Sequence, residues 1–198
     1  DTSKVTDMSG MFNGAKATTI DVSNFDTSNV TDMSIMFQSA KATTLDLSNF
    51  DTSSVTNMRE MFNEAEATTI DVSNFDTSNV TDMSYMFYGT KATTLDLSNF
   101  DTSSVTNMRE MFNEAEATTL DLSNFDTSKV TDMSGMFNGA EATTIDISSF
   151  NLADTQPNVS YMFGRIPAYT IYVRSQADID YLTENAGAYP EYLNFVIK

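Results

Sequence analysis

Between residues 43 and 50 the chain reads TTLDLSNF, with Leu45 and Leu47 alternating against Thr44, Asp46 and Ser48. A period of two predicts a strand with one buried and one exposed face. The period then changes. In SSVTNMREMF, residues 53–62, the apolar Val55, Met58, Met61 and Phe62 stand at i, i+3, i+6 and i+7. That stripe predicts a short helix, with Asp51, Thr52 or Ser53 placed to cap its first amides.

The same pair of patterns returns every 25 residues, marked by Asp1, Asp26, Asp51, Asp76, Asp101 and Asp126, with Asn151 in the next register. The stretch DTSSVTNMREMFNEAEATT stands at 51–69 and again, letter for letter, at 101–119, which points to a recently duplicated two-repeat unit. A unit of this length cannot bury its own apolar face, so the copies must stack. The expected fold is an α/β solenoid: parallel strands side by side, short helices on the other side, and a C-terminal capping unit.

All 13 methionines fall into two columns, and 13 of the 14 phenylalanines into two more. A methionine column can mark a soft-metal or peptide-binding surface. In a solenoid the simpler reading is a continuous core. The array occupies 1–150. Residues 151–198 read as a degenerate last repeat and cap: YTIYVRS (169–175) as a last strand, SQADIDYLTENA as a helix with Ser175 as N-cap and Asp178 three residues on, and EYLNFVIK as a closing strand. The first repeat has no comparable cap, which suggests a piece of a longer chain.

Composition narrows the function. Ten basic residues against 28 acidic give a formal charge of −18, unsuited to nucleic acid or anionic lipid. With no cysteine and no histidine, disulfides, thiol nucleophiles, imidazole bases and the common zinc ligand sets are absent. An enzyme also needs unlike groups converging on one point, which a row of identical copies does not supply. There is no signal peptide and no apolar run long enough to span a membrane, so no membrane insertion is expected within this chain.

Residues 120–140, LDLSNFDTSKVTDMSGMFNGA, closely resemble the repeat of BspA-like leucine-rich repeat surface proteins, and the likeness extends over about three quarters of the chain. The resemblance implies a leucine-rich-repeat-type solenoid on a bacterial cell surface, commonly Gram-positive, with roles in adhesion to host or matrix proteins, glycans or other cells. It implies no catalytic residues and no common ligand. One departure is that Ala40, Ala65, Ala115 and Ala140 stand where the family often has cysteine.

Two candidate binding surfaces follow. The outward strand positions stack aspartates in a column, Asp21, Asp46, Asp71, Asp96, Asp121 and Asp146, of which Asp46, Asp71, Asp96 and Asp121 form the central run. Strands about 4.8 Å apart would set these like charges close together, so the column must be solvated, partly protonated or bridged by cations. It reads as a solvated acidic face, as a surface for a cationic partner segment, or as a calcium ladder, although no EF-hand or nonapeptide calcium motif is present. Outward threonines also suit an ice-binding solenoid, but the adjacent aspartates hydrate that face strongly. The second surface is the C-terminal unit, where Tyr161, Tyr172, Tyr189 and Tyr192 are the candidate recognition residues among six clustered tyrosines. No catalytic or metal-ligating set is expected. A structural spacer without its own ligand is the competing function. The sequons at Asn29, Asn79 and Asn158 read as coincidence.

Overall fold

A computed structural model describes residues 1–167, 170–187 and 193–198. Along the sheet run β1 (Thr44–Leu45), β2 (Thr69–Ile70), β3 (Thr119–Asp121) and β4 (Thr144–Ile147). After α1 (Leu152–Thr155) come β5 (Thr170–Val173), α2 (Gln176–Asn185) and β6 (Asn194–Ile197). Every pairing is parallel, β1 with β2 and, in order, β3, β4, β5 and β6. The register puts like on like: Thr119 faces Thr144, Leu120 faces Ile145, and Asp121 faces Asp146. The chain is therefore a parallel β-solenoid: among the described residues a two-stranded and a four-stranded sheet form on one face, and a run of parallel bridges from Asp7 to Asn158 joins turn to turn.

The expected repeat helices are absent. Among the described residues the helices are α1 and α2, both beyond residue 150, and residues 53–62 form a ribbon of turns. The hydrogen bonds explain why. The N–H groups of Met58, Glu60, Phe62 and Glu64 donate to Asp82, Ser84, Met86 and Tyr88 of the next repeat. Those of Met61, Asn63 and Ala65 donate three residues back, to Met58, Glu60 and Phe62. Alternate amides thus serve the neighbouring turn of the solenoid, which an α-helix, spending each amide four residues back, would forbid. Turns of three residues bury nearly the same stripe as a helix of 3.6, so the apolar spacing does not separate the two. The ribbon also needs left-handed backbone at two positions four apart, Glu60 and Glu64, whose two columns are filled by glycine at Gly10 and Gly135 and at Gly14 and Gly139.

The core is one continuous column system. Met33, Met58, Met83, Met108 and Met133 are buried, as are Met36, Met61, Met86, Met111 and Met136. The rings of Phe37, Phe62, Phe87, Phe112 and Phe137 stack in near-parallel pairs with centroids 5.7 to 5.9 Å apart. The methionines are core, with Met11 exposed in the first turn.

Polar side chains also bind turn to turn. The buried hydroxyl of Thr77 accepts from the Asp101 amide at 2.9 Å and donates to the Asp101 carbonyl at 2.9 Å. Thr27, Thr52 and Thr102 donate in the same way. Asn74 and Asn124 donate their side-chain amides to carbonyls 24 and 27 residues earlier. Beyond the array, β5 and β6 lie where the sequence places strands. Ser175 caps α2, its hydroxyl accepting from the Asp178 amide.

Candidate functional site

The aspartate column forms as expected. Asp21, Asp46, Asp71, Asp96 and Asp121 are exposed on the outer sheet face, and Asp146 closes the column in a buried position. Each exposed carboxylate is engaged locally. Asp46 Oδ1 accepts from the Ser48 amide at 3.1 Å and from its hydroxyl at 2.6 Å, and Asp71 and Asp96 repeat this with Ser73 and Ser98. These are Asx turns, in which the side chain stands in for a backbone acceptor at a bend. The serine hydroxyl, followed by the serine amide, holds Asp46, Asp71 and Asp96 below the usual carboxylate range, which favours their charged form.

The same D-x-S turn recurs along the array, as at Asp21, Asp26 and Asp32, each accepting from the residue two further on, with Asn57 and Asn107 taking the third position in alternate repeats. Much of the acidity is therefore architectural. At its end the column already holds a cation: Lys198 Nζ pairs with Asp146 and lies 4.8 Å from the Tyr172 ring centroid. Burial raises the Asp146 carboxyl, but Lys198 and Ser148 outweigh it, and the net shift is downward. Among the described residues no group of three or more acidic side chains is placed to hold a metal ion.

The described tyrosines of the C-terminal unit, Tyr161, Tyr172 and Tyr181, stand in different parts of the fold. Tyr172 replaces aspartate in the sheet column, in register with Asp146. Tyr161 instead sits in the turn ribbon with φ of 58° and a side chain open to solvent. The hydroxyl of Tyr181 donates to the Pro157 carbonyl at 2.7 Å. Tyr189 and Tyr192, like Tyr169, lie outside the described residues.

The turn ribbon carries features that sequence reasoning passed over. The guanidinium groups of Arg59 and Arg109 flank the Tyr85 ring, each 5.9 Å from its centroid. The Tyr85 hydroxyl donates to Glu110 at 3.2 Å, and Tyr88 lies 6.0 Å away, centroid to centroid. Burial, then the Glu110 charge, raises the Tyr85 phenol above its ordinary value. Beside Tyr88 a shallow groove of about 300 Å³ crosses Gly89, edged by Glu64, Glu114, and the ion pairs Lys41–Glu66 (2.8 Å) and Lys91–Glu116 (2.6 Å).

A second groove, about 180 Å³, crosses Gly135 between Glu110, Asn113, Asn138 and Tyr161. The signal for this face was available: within residues 1–150, Tyr85 and Tyr88 break columns otherwise filled by glycine, isoleucine or glutamate and by asparagine or glutamine. The sheet face, by contrast, repeats TT-D-SNFDTS almost unchanged.

Fold and surface together define a tandem-repeat parallel β-solenoid with an invariant acidic sheet and a variable turn ribbon. The chain belongs to the family described as Mycoplasma protein of unknown function, DUF285, which matches residues 1–94 and again 66–175. A search of curated proteins found no match to the chain, and a search of solved structures found none. Among the described residues no helix is long and apolar enough to cross a membrane.

Proposed function

We propose that this chain is a non-enzymatic binding domain of a bacterial cell-surface protein, of the BspA-like leucine-rich-repeat type. On this reading it acts in adhesion to a host or matrix protein, a glycan or another cell. One observation carries the proposal: departures from the repeat gather on the turn ribbon, while the sheet and core stay constant. Arg59, Tyr85, Tyr88, Arg109 and Tyr161 all lie there, and tyrosine and arginine are the side chains enriched where proteins recognise partners. A plain spacer has no use for such variation. The domain 1–150 presents the ribbon, and 151–198 ends the stack. Extracellular placement follows from the same reading, as does the absence of a cofactor; calcium bridging of the aspartates is the less favoured variant, because their serine partners already satisfy one oxygen each.

The test is a glycan and matrix-protein array probed with the purified chain. Saturable binding to at least one class of surface component supports adhesion. Silence across the array at micromolar protein favours the spacer.

A further inference from the structure

Two walls of the groove at Gly89 belong to one column of the ribbon: Glu64 stands one turn before the glycine and Glu114 one turn after it. Gly89 puts no side chain between them, and a Cβ there would lie 3.5 Å from Glu64 Cγ. Both glutamates are exposed. The lysines of the groove are paired elsewhere, Lys41 with Glu66 and Lys91 with Glu116. Glu64 accepts from the Ser39 hydroxyl at 3.0 Å, and among the described residues no cation pairs with it.

The same column shows what such a gap can hold. It continues through Gly139 to Arg165, and Arg165 reaches back over that glycine to Glu114, Nη2 to Oε1 at 3.4 Å. A carboxylate and a guanidinium thus straddle Gly139, whereas two carboxylates straddle Gly89. The half-buried Tyr88 supplies a third wall of the Gly89 groove. Burial, then the charges of Glu114, Glu110 and Glu64, raises its phenol, so the ring and both carboxylates are neighbours. Guanidinium groups already lie over a tyrosine ring in this ribbon, at Arg59 and Arg109 around Tyr85.

We propose that the Gly89 groove receives the guanidinium of an arginine side chain from a partner protein; this deepens the reading of the chain as a binding domain and rests on it. A group seated over Gly89 lies one turn of the solenoid, about 4.8 Å, from the columns of Glu64 and Glu114 alike. The planar guanidinium fork donates from several edges, so one group serves both carboxylates and lays its face on Tyr88. A lysine ammonium has no plane to stack. Among the described residues no three acidic side chains converge to hold a metal ion, so the cation that suits this groove is organic. The formal charge of −18 steers basic protein surfaces toward it.

The experiment titrates the ¹⁵N-labelled chain with Nα-acetylarginine amide up to about 100 mM at constant ionic strength, where one-site binding at about 1–10 mM is readable. The acetylated amides of lysine and of citrulline, the neutral isostere of arginine, are run beside it. The backbone amide of Gly89 should shift and saturate with the arginine compound, with binding weaker by about threefold or more for lysine and absent for citrulline. Glu64→Gln and Tyr88→Asn should each weaken the response by about fivefold or more, while Asp71→Asn on the sheet face leaves it unchanged. Asparagine already stands in the Tyr88 column at Asn63 and Asn113, so the fold is kept. No saturable shift at Gly89 overturns the proposal, as do equal binding of the lysine compound and unchanged binding by Glu64→Gln or Tyr88→Asn. An array partner indifferent to Glu64→Gln sinks the arginine site and leaves the adhesion reading standing. Arginine binding with a silent array does the reverse.

Discussion

Replacing Phe87 by alanine is the sharpest perturbation of the stack. Phe87 is fully buried in the fourth repeat, its ring 5.7 Å from Phe62 on one side and 5.7 Å from Phe112 on the other. Truncation removes a buried ring and opens a cavity, at a cost of about 3–5 kcal/mol. Two stacked pairs, worth about 0.5–1.5 kcal/mol each beyond area, put the loss toward the upper end. Phe12 is the same column's first member, half-buried, stacked at 5.5 Å on Phe37. With part of its surface already in water, Phe12→Ala should cost about half as much. Urea denaturation followed by far-UV circular dichroism gives both values from the midpoint and slope. At about 2–4 °C per kcal/mol, the melting temperature should fall by about 6–20 °C for Phe87→Ala. Equal losses at the two positions would refute nearest-neighbour stacking as the source of stability.

Thr77→Val keeps the shape of a buried side chain but removes the hydroxyl that serves both the amide and the carbonyl of Asp101, and should cost about 1–3 kcal/mol by urea denaturation. Ser28→Ala, at a half-buried position, should cost less. Acid unfolding should begin near pH 4: the D-x-S aspartates are held below their ordinary value of 3.8, so the stability they contribute is complete above that pH and is lost as pH falls through their lowered values. A protein unchanged down to pH 2 by circular dichroism would contradict this. Chelator should leave the melting curve cooperative and calcium should raise its midpoint only slightly; loss of cooperativity in chelator would give the aspartate column a structural calcium role.

Much of this fold was legible because its strand signal is strict. Leu45 and Leu47 face inward and Thr44 and Asp46 outward, and Ser175 caps a helix where its spacing to Asp178 suggested. The turn ribbon was not legible from Val55, Met58, Met61 and Phe62, since a chain of three-residue turns buries nearly the same positions as a helix. The missed clue was glycine paired four apart at Gly10 and Gly14 and again at Gly135 and Gly139, where left-handed backbone is required. The acidic column was found, but the serine two residues after each aspartate already pointed to a bend. Tyr85 and Tyr88 escaped notice because attention to tyrosine density favours the C-terminal unit, whereas their meaning lies in breaking their columns.

The central claim, that an invariant solenoid presents a variable ribbon for binding, is tested most directly by comparing three proteins on one glycan and matrix-protein array. The first is the chain itself. The second carries Tyr85→Gly, Tyr88→Asn and Tyr161→Gly, each replaced by a residue found elsewhere in its column. The third carries Asp71→Asn, Asp96→Asn and Asp121→Asn, which keep an acceptor for each turn while removing the charge. The account predicts a signal from the first and third and its loss from the second. Binding that survives the tyrosine changes and disappears with the asparagines would place the ligand on the aspartate column and contradict the account.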